Sequence, residues 1–360
     1  MSIKDYLCIY DFDTHLYTGA KMLQDDYIIA EHKATGHRME HKNITTFKGR
    51  KKIIVGGWLG ERNAEKGTNL TPDDFIITKH SRRNRIPTKK AKEIITKSIE
   101  IVLEKVWCRE LRLVIGGKDN YRKDIYPLYK AHRPPKPLMY AEMREWLEEE
   151  YESMIVVADG CEADDYLSIM SEWMFRQTKG DFDAWDLVLI HRDKDLKQCG
   201  GLQWSWFDKK VKPEWLGAKK AEKAFWQQML QGDSTDGIPG IGGVTPYMWK
   251  EFQLKGKKYG IGAKNALTLL NNCDTVEEMD EMVTYCYRSF YPYYNKLIDE
   301  DIEFNKTAKK EDLRPIKDKI YWRDHFQLNY QLLKLQERKG VIPIYEFAES
   351  YPELDEEEVE

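Results

Sequence analysis

What the chain lacks narrows it first. No stretch approaches the ~18 consecutive apolar residues of a membrane-spanning helix. The amino terminus has one short apolar run at 6–10 leading into two acids, without the basic start, long apolar core and small-residue cleavage site of a secretory leader. The six cysteines, Cys8, Cys108, Cys161, Cys199, Cys273 and Cys286, are scattered and include no C-x-x-C pair. A zinc site and a disulfide framework are therefore not expected, and a reduced cytoplasmic setting without membrane contact is. No Ser/His/Asp or Cys/His set reads as a nucleophile with its base. Charge of one sign is missing too: 57 Lys and Arg face 61 Asp and Glu, a formal net of −4, whereas nucleic-acid binders are often strongly basic.

What is present is enough apolar residue for a packed core, 41% of 360 residues, in a chain of about two-domain length. Short β-rich runs at 6–10, 111–115, 154–158 and 187–190 read as buried strands. Helical patterns at 89–107, 141–151, 163–177 and 219–230 lie between and after them. Strands separated by helices predict an α/β fold with a mostly parallel central sheet flanked by helices, whose sites gather beyond the carboxyl ends of the strands. Residues 27–79 break the pattern as a charged insertion, with extended ribbon expected at 28–32, 43–47 and 51–55. A basic stretch at 79–92 includes Arg82, Arg83 and Arg85; it reads as a solvated loop entering a helix or as a phosphate-contacting patch. Beyond 231 the texture changes. Residues 232–243 are dense in Gly and Pro, and Gly260-Ile261-Gly262-Ala263-Lys264 repeats the Gly-Ile-Gly of 240–242. Residues 346–360 hold eight acids and no Lys or Arg, a composition expected of a disordered tail.

The carboxylates fall where an α/β sheet places its sites. The first strand runs into Asp11 and Asp13, the second through Gly116-Gly117-Lys118 into Asp119. The third is followed by Glu162, Asp164 and Asp165, the fourth by Asp193 and Asp195. One acid after a strand is usually a helix cap or turn residue. Four such placements at one sheet end repel one another and call for compensation, most simply by divalent cations. An oxygen-only donor set prefers Mg²⁺ or Mn²⁺ over zinc. Asp233 and Asp236 add a further pair three residues apart.

These strings, in this order, resemble the 5′-nuclease superfamily of flap endonucleases, polymerase 5′-nuclease domains and phage 5′→3′ exonucleases. The podovirus-type phage exonucleases are the nearest in motif. The resemblance rests on Ile9-Tyr10-Asp11-Phe12-Asp13, Gly160-Cys161-Glu162-Ala163-Asp164-Asp165, Arg192-Asp193-Lys194-Asp195 and the run from Gly232-Asp233-Ser234-Thr235-Asp236 to Gly242.

It implies a 5′-nuclease core over 1–231 with the insertion 27–79 and an arch at 120–152. A helix–three-turn–helix element and a helical DNA-binding region would follow over 232–345, then the tail at 346–360. By motif, Asp11, Asp119, Glu162 and Asp164 would hold one divalent ion and Asp193, Asp195 and Asp233 a second, with Asp13, Asp165 and Asp236 as outer or water-mediated ligands. Tyr129 would stack on the terminal base, while Lys130 and Arg133 bind the scissile phosphate. Arg122, Lys123, Lys136, Gly240, Gly242, Gly243, Lys264, Arg82, Arg83 and Arg85 would contact DNA, and K⁺ would bind at the helix–three-turn–helix element. The implied activity is two-metal 5′→3′ exonucleolysis of duplex DNA by a monomer, extending to RNA–DNA hybrids. Flap endonuclease, PIN-type RNA endonuclease and non-catalytic DNA-binding protein are the alternatives. The chain departs from the family pattern where Val244-Thr245-Pro246 follows the first Gly-Ile-Gly. Setting the acidic tail and the ten candidate acids aside leaves a body of net charge +14, so the near-neutral total no longer argues against a nucleic-acid partner.

Overall fold

The computed structural model describes residues 5–50, 57–106, 108–205, 212–352 and 354. The chain begins with β1 (Tyr6–Asp11), α1 (Asp13–Met22), β2 (Gln24–His32), β3 (Arg38–His41), α2 (Ile44–Lys48), α3 (Trp58–Lys66) and β4 (Phe75–Arg83). It continues with α4 (Thr88–Lys105), β5 (Cys108–Gly116), α5 (Tyr121–Ile125), α6 (Tyr140–Glu150), β6 (Ile155–Ala158), α7 (Ala163–Thr178), β7 (Leu187–Ile190), β8 (Gly201–Trp204) and β9 (Glu214–Leu216). It ends with α8 (Ala218–Gln231), α9 (Pro246–Glu251), α10 (Ala263–Leu270), α11 (Val276–Thr307) and α12 (Trp322–Leu333). Two compact units result: one from Met1–Asp13, Val102–Pro134 and Met154–Glu360, the other from Thr14–Ile101 and Pro135–Ser153.

The first unit is built on a sheet of order β6-β5-β1-β7-β8-β9, parallel except for β9. The Leu187–Ile190 run is wholly buried, as a strand covered on both faces must be, and this explains its unbroken apolar sequence. The chain steps outward from β1 to β5 and β6, then returns to β1's other side as β7. That reversal opens a crevice at the carboxyl end of β1, the position where ligands bind open α/β sheets. Helix α7 packs across β1, β5, β6 and β7 and delivers its amino-terminal acids to the same end. The expected α/β architecture is thus present. Strands β8 and β9 had no sequence signal, being four and three residues long.

Helix α8 shares one core with α9 to α12, through Phe225, Met229, Ile241, Met248, Leu269, Tyr287 and Phe326 among others. The packing therefore does not break at residue 231. At its end the chain doubles back so tightly that Gly232 (φ 70°) and Gly240 (φ 64°) touch backbone to backbone. A Cβ on Gly240 would lie 2.3 Å from the Gly232 nitrogen. The Gly240 carbonyl accepts hydrogen bonds from His325 and Asn329, both at 2.9 Å. The start of the presumed tail is packed rather than loose: Phe347 and Tyr351 lie edge-on to Trp322 at 5.4 and 5.6 Å. Residues 353 and 355–360 lie outside the described set.

In the second unit an antiparallel sheet of order β3-β2-β4 is covered by α2 and α3 through Ile28, Ala30, Phe47, Leu59 and Phe75. The ribbon expected at 43–47 is instead helix α2. Asn43 accepts from the Thr46 amide at 2.9 Å while the Thr46 hydroxyl accepts from the Asn43 amide at 3.1 Å, a reciprocal cap that outweighs the β preference of Ile44 and the threonines. Residues 51–55 lie outside the described set. The start of the basic stretch, 79–83, is strand rather than loop.

Gly240→Ala must both force a side chain into left-handed backbone and separate two packed chains. The variant should lose at least about 2 kcal/mol, read from its urea midpoint; a loss under about 0.5 kcal/mol would show that the turn yields.

Candidate active site

The sheet brings the acids together through strand ends rather than through sequence neighbourhood. Asp11 closes β1 and is 6% exposed. Its carboxylate accepts the Asp13 amide at 3.3 Å, and Asp13 in turn accepts the Gly116 amide at 3.0 Å, tying the ends of β1 and β5. Burial first, then the neighbouring Asp13 and Asp193, push the Asp11 carboxyl up to about 8 against the opposing pull of the Asp13 amide. Asp164, in the first turn of α7, is driven up by burial and by Asp11, Asp193 and Glu162. Burial, Asp193 and Asp233 raise Asp195, just beyond β7, to about 7. None of Asp11, Asp164 and Asp195 has a Lys or Arg ion-pair partner among the described residues.

Four other acids, Glu162, Asp165, Asp233 and Asp236, are compensated by cations. Glu162 pairs with Lys130 and accepts the Tyr129 hydroxyl at 2.7 Å. Burial works to raise Glu162, but Lys130 and Arg122 outweigh it and hold the carboxyl at about 2. Asp236 pairs with Arg133 and, at 3.4 Å, with Lys130. Asp233 pairs with Lys194 at 2.7 Å and accepts the Thr235 amide at 2.7 Å; against burial, these contacts pull it below the usual carboxylate range. Lys194 and Gln228, which donates to Asp195, were not singled out from sequence. Lys194 was legible between two site acids, whereas Gln228 lies in the expected helix 219–230 with nothing nearby in sequence to tie it to the site.

Several expected roles are corrected. Asp165 does not face the crevice: it is wholly buried, and both oxygens are taken by Arg122 at 2.6 and 2.8 Å, by the Glu162 amide at 3.0 Å and by the Gln336 amide at 2.9 Å. Arg122 is accordingly no DNA contact. It is 1% exposed and also donates to the Leu332 carbonyl at 2.9 Å, because a buried guanidinium must be fully paired. Tyr129 cannot stack on a base, since its ring is 3% exposed and packed in the α8–α12 core; its hydroxyl instead steadies Glu162 and Asp236. Arg83 is committed to its own chain, donating to the Leu23 and Ile86 carbonyls at 3.0 and 2.8 Å, and Arg82 pairs with Glu40. Asp119, Arg85, Lys123 and Lys136 are exposed, and among the described residues Asp119 makes no hydrogen bond to the other acids. His191 is buried between the Asp193 carbonyl and Gln203, and burial lowers its pKa.

Lys130 stands out. Its backbone is in the left-handed region (φ 55°), a strain that non-glycine residues adopt only when the surroundings demand it. Its amide is held by the Asp236 carbonyl at 2.8 Å. The two Gly-Ile-Gly copies separate in role. Gly240 and Gly243 are buried in the turn after α8, and only Gly242 is exposed there. The second copy opens α10, with Gly262 at its cap and Ala263 and Lys264 exposed. The Val244 amide donates to the Tyr259 carbonyl at 3.1 Å, so the intervening segment with α9 is an excursion closed at its base.

Comparison with known proteins follows this geometry. Part of the chain is similar to a DNA polymerase I. Over 139 residues, 35% of its length, it is 30% identical to "DNA polymerase I" of Rhizobium leguminosarum, and it covers 13% of that protein. No family model matches. Among solved structures, T5 D15 protein co-crystallized with metal ions has a TM-score of 0.35 at 17% identity, over 59% of this chain and 90% of that one. Bacteriophage T5 D15 flap endonuclease, in a complex with DNA and metal ions, has a TM-score of 0.32 at 18% identity, over 54% and 82%.

Oxygen donors without sulfur or imidazole fit a hard divalent ion, and three carboxylates without cation partners supply the negative charge it would offset. Among the described residues no three His, Cys, Asp or Glu side chains converge closely enough to hold a metal by themselves, and four of the acids are turned towards Lys or Arg. Mg²⁺ keeps several waters and needs only one or two carboxylates directly, which suits this open array better than a closed cage.

The raised Asp195 makes a signed prediction. From its ordinary 3.8 its carboxyl moves to about 7 on folding, so the folded protein holds the proton more tightly and ionisation weakens the fold as pH rises between those values. Asp195→Asn removes the penalty. In EDTA, its stability relative to wild type should climb from near zero at pH 4 to on the order of 1–2 kcal/mol at pH 8. A difference that stays flat across urea melts at those pH values would refute the repulsion.

Proposed function

We propose that the chain is a metal-dependent 5′ nuclease that hydrolyses phosphodiester bonds at 5′ ends of duplex DNA. The observation that carries this reading is the crevice at the sheet's reversal point, where Asp11, Asp164 and Asp195 stand without cation partners beside the strained Lys130. The local similarity to a DNA polymerase I supports it.

Asp11, Glu162 and Asp164 on one side and Asp193, Asp195 and Asp233 on the other would hold two divalent ions, Mg²⁺ or Mn²⁺. When bound, these would lower the pKa of an attacking water and offset charge on the phosphate. The chain's own groups do the rest. Lys130, with Glu162 and Asp236 fixing its ammonium, offers positive charge where a phosphate oxygen gains negative charge in the transition state. Arg133 and Lys194, half exposed at the crevice, can exchange a carboxylate for an incoming phosphate. Asp13 and the Tyr129 hydroxyl keep Asp11, Glu162 and Asp236 in register. The exposed start of α10, with Lys264, suits a sequence-independent grip on the duplex backbone, with K⁺ as the accessory ion of that element. RNA–DNA hybrids and flaps belong to the same substrate class. A duplex grip at the start of α10 would favour this reading over a single-strand RNA endonuclease.

Asp193→Asn with Asp195→Asn should abolish Mn²⁺-dependent cleavage of a 5′-labelled duplex while duplex binding in Ca²⁺ persists, and Lys130→Ala should slow single-turnover cleavage at least about tenfold. Undiminished cleavage in either would remove those residues from the site. Lys264→Ala should weaken binding to duplexes of any sequence about equally and flatten the salt dependence; unchanged binding would move the grip elsewhere.

A further inference from the structure

The insertion contributes nothing to the chemistry above, yet it is strongly basic and hollow. Residues 27–79 hold ten Lys and Arg against six Asp and Glu. Its helix–sheet sandwich opens into a cavity of about 650 Å³ whose lining includes His32, His37, Met39, Trp58, Arg62 and Phe75. That volume is typical of small-molecule sites. Trp58 is braced by Phe47, stacked at 6.0 Å, and by His41 at 5.4 Å. His32 lies 5.1 Å from Phe75, and its ring is oriented by the Thr35 hydroxyl at 2.9 Å. Arg62 has one ion-pair partner among the described residues, Glu65 at a loose 3.7 Å.

We propose that this cavity binds an unpaired nucleotide of a nucleic-acid strand, its base against the Trp58, His32 and His37 rings and its phosphate at Arg62. Ring faces take any base by stacking, and a positive surround holds the backbone. The same surround disfavours an apolar or basic peptide. Paired bases are ruled out as occupants, because a duplex shows only base edges in its grooves whereas a ring-lined pocket needs a free base face. The insertion thereby becomes a single-strand anchor. This rests on the nuclease reading only in expecting a nucleic-acid ligand.

The test uses the full chain in EDTA, where no cleavage occurs, and follows fluorescence anisotropy of labelled oligo-dU, oligo-rU and a blunt duplex. Arg62→Glu combined with His37→Ala changes rim groups without touching the buried core of the sandwich. It should weaken single-strand binding about fivefold or more and leave duplex binding within about twofold. Photo-crosslinking of 5-iodouracil in the strand should give adducts at Trp58, His32 or His37, and the tighter of the two oligonucleotides identifies the sugar. Unchanged single-strand affinity in the double variant, or adducts confined to peptides outside residues 27–79, would overturn the proposal. Because binding in EDTA does not draw on Asp193 or Asp195, loss of the nuclease reading through those acids would leave this result standing, and the reverse holds too.

Discussion

Like charges crowded into a low-dielectric space repel, and the strand-end crevice is arranged around that repulsion. Burial raises Asp11, Asp164 and Asp195, Asp193 adds to the rise of each, and Asp11 adds to that of Asp164. A fold bears this when neighbouring charges are cancelled, and here they are. Glu162, Asp165, Asp233 and Asp236 each face a Lys or Arg, while Asp11, Asp164 and Asp195, without such an ion pair among the described residues, are left for a cation from outside. The site is thus divided by electrostatics into groups already paired and groups held in reserve.

The buried Arg122–Asp165 pair anchors this division. It joins the segment after β5 to the first turn of α7, to the end of α12 through the Leu332 carbonyl and to the chain beyond it through the Gln336 amide. Asp165 also fixes the Glu162 amide, so the paired and unpaired acids share a single rigid helix start. A comparable economy governs the region after α8. The backbone contact of Gly232 with Gly240 turns the chain, the Gly240 carbonyl is held by α12, and the second Gly-Ile-Gly copy is freed to open α10.

Much of the core was legible in local pattern. The run at 187–190 is unbrokenly apolar because it is buried on both faces, and the helices of 163–177 and 219–230 carry clear amphipathic spacing. The errors share a cause. Asn43–Phe47 looked extended by composition, yet a reciprocal cap made it helical. Arg122, Arg83 and Tyr129 looked available by residue type, yet distant carbonyls and carboxylates claimed them.

By itself the sequence determined the alternation of strands and helices and the delivery of an acid after four of the parallel strands, because hydrophobic period and strand length are local properties. Which acids stand together, which are neutralised, and which of two similar Gly-Ile-Gly turns is open were decided only in three dimensions. Ion pairing and burial depend on partners tens to hundreds of residues away. Arg122 meets Asp165 and Leu332, Lys130 meets Glu162, and Gly240 meets Asn329, and no local pattern encodes those encounters.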